Sequence, residues 1–130
     1  MRIVFDTWQF VRIMVRLEET RRADPARKKL WSAWSADWEK LDAELELLRE
    51  SNFDAFSAAM MDQEVIFDPV DAPTLELVAA ISREVAAAIK SAERGAKGEM
   101  LTDLQYERTG LGGLAQRLEK LRKLSAKSER

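Results

Sequence analysis

The sequence predicts an all-α protein, an antiparallel helical bundle of four main helices plus one short helix, and three observations carry that expectation. Helix-favouring Ala, Leu, Glu, Lys and Arg dominate, while the 130 residues include only 5 Gly and 3 Pro. Apolar residues recur at three- and four-residue intervals along most of the chain. Residues suited to helix capping stand where those runs begin. A chain of this length is the size of one ordinary domain, so a single helical-bundle domain over 1–130 is expected, with a frayed tail at 125–130.

The first helix has a start signal, because Asp6 followed by Gln9 fits a capping box and Phe5 and Phe10 fall at the two positions of a hydrophobic staple. Val4, Trp8, Val11 and Val15 form its inward stripe, widened by Ile3, Phe10, Met14 and Leu17. The β-branched residues leave a strand over 2–5 as the alternative for its beginning. Asp24 and Pro25 then mark a restart, an N-cap followed by a proline at the first helical position. The second helix runs to about Glu50 without an internal Gly or Pro, which makes it about 40 Å long at 1.5 Å per residue.

Ser51 and Asn52 can cap a short third helix that places Phe53, Phe56 and Met60 on one face. VIFDPVDAP reads as a loop, its prolines pushing Asp68 and Ala72 toward extended backbone. From Thr74 a helix turns Leu77 or Val78, Ile81, Val85, Ala88 or Ile89 and Ala92 inward, and Gly95 and Gly98 end it. The last helix carries Leu111, Leu114, Leu118 and Leu121 at 3-4-3 spacing, with Gly110, Gly112 and Gly113 marking either a break or a close helix crossing. The predicted core is Val4, Trp8, Val11, Val15, Trp34, Trp38, Leu41, Leu45, Phe56, Met60, Val78, Ile81, Val85, Leu114, Leu118 and Leu121.

Composition excludes much chemistry. With no Cys there are no disulfides and no thiolate ligands or nucleophiles. With no His, the usual proton shuttle, metal ligand and nucleophile-activating base are all missing. No catalytic, cofactor-binding or metal residue is assigned, and no cofactor is expected. TGLGGLAQ lacks the Lys-Ser/Thr of a phosphate-binding loop and follows helix rather than strand. The apolar N-terminal run is broken by Arg2, Asp6, Arg12 and Arg16, so no membrane span is expected and a cytoplasmic location is the reading.

The net charge of -2 conceals a division: residues 1–29 carry +4, residues 30–76 carry -10, and residues 77–130 carry +4. Internal pairing of the acidic middle with basic neighbours is the plain structural reading. Within the middle, Glu39, Asp42, Glu46 and Glu50 form a candidate acidic rim at i, i+3, i+7 and i+11, set to dock on Arg12, Arg16 or the last helix. A cation site there would lack the Glu-x-x-His pairs of carboxylate di-metal bundles. Arg21, Arg22, Arg27, Lys28 and Lys29 form a candidate basic patch.

Trp31, Trp34 and Trp38 continue into Leu41, Leu45 and Leu48 as one stripe, which admits three readings: core, homodimer seam, or partner pocket. The candidate interface is therefore Trp31, Trp34, Trp38, Leu111, Leu118 and Leu121. The functional expectation is a non-enzymatic helical interaction module that self-associates as a homodimer and binds another protein through apolar helix faces. The alternative is a nucleic-acid-associated regulator using basic clusters at 21–29 and 117–127. A small enzyme or a carboxylate cation site ranks third.

Overall fold

The computed structural model describes residues 1–128. They form β1 (Ile3–Asp6), α1 (Thr7–Thr20), α2 (Pro25–Ser51), α3 (Phe53–Asp62), β2 (Glu64–Phe67), α4 (Ala72–Glu93) and α5 (Glu99–Ser128). The chain is mostly helical, but the small sheet corrects the all-α expectation. The Thr7 N–H donates to the Gln63 carbonyl at 2.9 Å and the Val70 N–H to the Met1 carbonyl at 2.8 Å, so β1 and β2 pair antiparallel. Ile3 and Phe5 are fully buried on one side of β1. β2 occupies the first half of the predicted loop and ends before the cis Asp68–Pro69 peptide.

Two compact units arise, one comprising Val4–Ile66 and the other Met1–Ile3 with Phe67–Arg130. In the first, Gln9 Oε1 accepts from the Asp6 N–H at 2.9 Å, completing the expected capping box, and the Phe5 and Phe10 rings lie 5.6 Å apart. Buried Thr7 is satisfied by donating its hydroxyl to the Gln63 carbonyl at 2.8 Å. Arg21 lies over Trp31, and the Phe10 ring meets Trp38, so α1 and α2 run antiparallel.

The inward face of α1 differs from the expected stripe. Phe10, Ile13, Met14 and Leu17 are fully buried, while Val4 and Val11 are half-buried and Val15 is 43% exposed. Val4 belongs to a strand, so a helical count begun there is out of phase with the helix that starts at Thr7. α2 begins at its predicted cap, with Asp24 accepting from the Ala26 N–H at 2.9 Å, and Asn52 caps α3 by accepting from the Ala55 N–H at 3.1 Å.

In the second unit α4 and α5 form an antiparallel hairpin whose register is marked by the pairs Glu76–Arg122, Arg83–Glu119 and Glu93–Arg108. α4 starts earlier than expected, at Ala72, because Asp71 caps it through the Thr74 N–H at 2.9 Å and Pro73 fits the first turn. The seam buries Leu75, Val78, Ile81, Val85 and Ile89 against neighbours that include Leu111, Leu114, Ala115 and Leu118. Ala88 and Ala92 face outward. Gly98, at φ +62°, occupies the left-handed region in the turn between the two helices.

α5 is unbroken through its glycines. A methyl group at Gly112 or Gly113 would meet nothing within 4 Å, so neither a break nor a close crossing explains those two residues. Leu121 is 36% exposed rather than core. The helix continues through Ser128; residues 129 and 130 of the expected tail lie outside the described residues.

Candidate functional site

α2 carries most of the residues singled out by sequence, and its packing separates them. Trp34 is 6% exposed; its ring makes an edge contact with Phe5 at 5.9 Å and a tilted contact with Phe10 at 6.1 Å. Trp38 is half-buried, with an edge contact to Phe10 at 6.1 Å. Aromatic rings at these separations gain from edge-to-face geometry as well as from burial. Trp34 is core, and Trp38 lies at its half-buried edge. Leu45 is buried further along the same stripe, and Leu41 and Leu48 are half-buried.

Trp31 stands apart. The Arg21 guanidinium lies 5.0 Å from its ring centroid, a cation–π distance, and the pair walls a surface groove of about 390 Å³ completed by Arg22, Lys28 and Ser32. The expected basic patch is thus brought together only in part. Arg27 turns away from it, donating to Thr20 Oγ1 at 2.9 Å and lying 3.7 Å from Asp24. Arg22, Lys28 and Lys29 are exposed and make no ion pair among the described residues.

The acidic rim is also exposed in full. Glu46 is held by Arg49 one turn on, at 2.7 Å, whereas Glu39, Asp42 and Glu50 have no cation partner among the described residues. The expected docking of this ridge does not occur at Arg16, which lies 3.6 Å from Glu19 instead. Among the described residues no three carboxylates converge as a metal site would require, since these acids are strung along a helix.

Counting along α2 reveals what the separate patches conceal. Lys28, Ser32, Ser35, Glu39, Asp42, Glu46 and Glu50 follow one another at intervals of three or four, so they form one continuous stripe beside the Trp–Leu stripe. It is basic at its start, small and neutral in the middle, and acidic at its end. The sequence contains this row, but charge bookkeeping by segment hides it because Lys28 falls in the basic segment and the acids in the next.

A second surface was missed by sequence reasoning. α3 has an apolar composition yet buries none of its residues: Phe53 is 64% exposed and Met61 44%. On α2, against which α3 packs, Leu47 is 68% exposed. Of Phe53, Phe56 and Met60, expected on one face with Phe56 and Met60 in the core, Phe56 and Met60 are only half-buried and Phe53 is exposed.

Of the remaining interface candidates, Leu111 and Leu118 are 0% and 2% exposed within the α4–α5 seam. Leu121 and Leu124 alone of that row reach solvent, at 36% and 54%. The basic cluster at 117–127 is partly neutralised: Arg122 pairs with Glu76, while Arg83 grips Glu119 with two hydrogen bonds of 2.7 and 2.8 Å. That bidentate contact holds the Glu119 carboxyl below the usual carboxylate range and raises Arg83. A groove of about 410 Å³ lies beside these pairs, lined by Glu76, Ala79, Ala80, Arg83, Glu119, Arg122 and Lys123. Among the described residues no helix is long and apolar enough to cross a membrane.

No family model matches this chain, and neither a curated protein nor a solved structure matches it.

Proposed function

We propose that this chain is a non-enzymatic helical interaction module that self-associates and engages other proteins through the apolar surface of α2 and α3. One observation carries the reading: α3 is built from Phe, Ala and Met but buries none of them, and Leu47 of α2 is 68% exposed. Exposed apolar residues are ordinary when scattered singly, but a largely apolar helix without a buried residue marks surface held for a partner. The absence of His and Cys favours binding over catalysis. The test is molar mass against concentration for the wild type and for Leu47→Asp with Phe53→Asp. The wild-type mass should rise with concentration and the variant should remain monomeric. Its stability should change by less than about 0.5 kcal/mol, because both side chains are at the surface. A variant that associates as the wild type does would overturn the reading.

A second reading, association with single-stranded nucleic acid, draws on the Trp31 groove. An aromatic ring bordered by Arg21, Arg22 and Lys28 suits a stacked base and its phosphates. Salt-dependent gel retardation lost in Arg22→Ala with Lys28→Ala would support it, and no retardation at low salt would dismiss it.

A further inference from the structure

We infer that the partner in self-association is oriented by the polar stripe of α2: a second copy lies antiparallel along this flank, related by a twofold axis that crosses the stripe at the level of position 37. The inference rests on the self-association proposed above and adds its register. An antiparallel twofold pairing places residues equidistant from the axis opposite each other. Lys28 and Glu46 are equidistant from position 37, as are Ser32 and Asp42, and Ser35 and Glu39. Every pair joins a donor to a carboxylate.

The stripe is therefore complementary to itself only when reversed. In a parallel pairing Glu39, Asp42 and Glu46 would face their own copies, and like charges side by side oppose association. In the antiparallel pairing Lys28 meets Glu46 of the second copy at both ends of a contact about 27 Å long. Ser32 and Ser35 occupy the middle, where small side chains let two helices approach and their hydroxyls can donate to Asp42 and Glu39 opposite.

The same symmetry brings Glu50 to the level of Asp24 in the second copy. There Arg21 and Arg22 line the same groove as Lys28, and these cations outnumber that one acid. Lys28, Ser32, Glu39, Asp42, Glu46 and Glu50 are exposed and Ser35 is half-buried, and on docking Glu46 shares its carboxylate between Arg49 and the second copy's Lys28 while the Ser35 hydroxyl gives up its bond to the Ser32 carbonyl. Exposed ion pairs contribute little affinity individually, so their effect is orientation, while the apolar surface of α2 and α3 supplies attraction.

Two charge-reversed chains test this. One carries Arg22→Glu and Lys28→Glu, which makes the stripe acidic throughout; the other carries Glu39→Lys, Asp42→Lys and Glu46→Lys, which makes it basic. Circular dichroism and melting establish that both fold. Each alone should lose the concentration-dependent rise in mass at low salt, and an equimolar mixture should regain it as a one-to-one heterodimer that dissociates as salt is added. Because the chain has no cysteine, Ser32→Cys with Asp42→Cys should also yield a covalent dimer on oxidation that Ser32→Cys alone does not. If both reversed chains self-associate as the wild type does, the orientation is wrong while the apolar reading stands. If the wild type and the mixture are both monomeric at every concentration, self-association and its orientation fall together.

Discussion

Across α4 and α5, three arginine–glutamate pairs close over a seam of Leu, Ile, Val and Ala, each joining one helix to the other. Along α2 the same residue types are arranged in the opposite way. Along its polar stripe Lys28 stands at one end and Glu39, Asp42, Glu46 and Glu50 toward the other, and of these acids only Glu46 has a cation on the same helix, Arg49, among the described residues. The core beneath them is also different, an aromatic cluster of Phe5, Phe10, Trp34 and Trp38 where the hairpin is aliphatic. An antiparallel hairpin can neutralise an acid with a base distant in sequence because the fold brings them level. A row whose two signs are separated along one helix can be neutralised only by a surface that runs the other way. The hairpin thus pairs six of its charges across its own two helices, whereas the acids and exposed apolar residues of α2 and α3 have no such facing helix to pair with.

That contrast can be broken most severely at the aromatic cluster. Phe10 is fully buried and touches three other rings, so Phe10→Ala should cost about 3–5 kcal/mol, measured by urea unfolding followed through tryptophan emission. Leu114→Ala in the hairpin, at 1% exposure, should cost about 2–5 kcal/mol. A Phe10→Ala loss below about 1 kcal/mol would mean that the rings are not what holds α1 to α2.

A smaller effect, with the opposite sign, is expected in the hairpin. Gly112→Ala and Gly113→Ala should each stabilise the chain by about 0.5–1 kcal/mol, since the helix is regular there and an added methyl meets open space. Destabilisation would show that this face of α5 is covered by a partner in solution.

The smallest effect is expected at Arg83–Glu119, whose side chains are 50% and 42% exposed. Glu119→Gln should lower the melting temperature only slightly at neutral pH. The folded protein holds this carboxyl below its ordinary range, so the pair's contribution is complete above the unfolded carboxylate range. It fades as pH falls through the folded value. The difference between wild type and Glu119→Gln should therefore vanish in strong acid, and a difference that grows there would reverse the assignment.

Much of the fold was legible in advance. Asp6 with Gln9, Asp24 before Pro25, and Asn52 all cap where the sequence places them, because a cap is a contact over two or three residues. The inward phase of α1 was not, since Val4 and Val15 satisfy a helical count as well as Phe10 and Leu17 do. A strand that occupies residues 3–6 decides between them. β2 was hidden for the same reason: four residues within a proline-bearing loop become a strand only because β1 offers hydrogen bonds. Among the site candidates, the acidic rim and the basic cluster could be seen as charge runs, but not that Arg27 would leave the cluster for Asp24 and Thr20.

By itself, then, the sequence determined where α1, α2 and α3 begin, what chemistry the missing His and Cys exclude, and the order of Lys28, serines and acids along α2. These depend on residue identity and on neighbours within a turn or two. Only the tertiary structure decided how the Trp stripe divides, with Trp34 in the core, Trp38 half-buried at its edge and Trp31 bordering a groove, that Leu111 and Leu118 are buried in the seam while Leu121 reaches solvent, and that α3 leaves Phe53 and Met61 exposed. Those outcomes turn on which of several apolar surfaces cover one another, and a periodic stripe specifies that it needs cover without specifying what provides it.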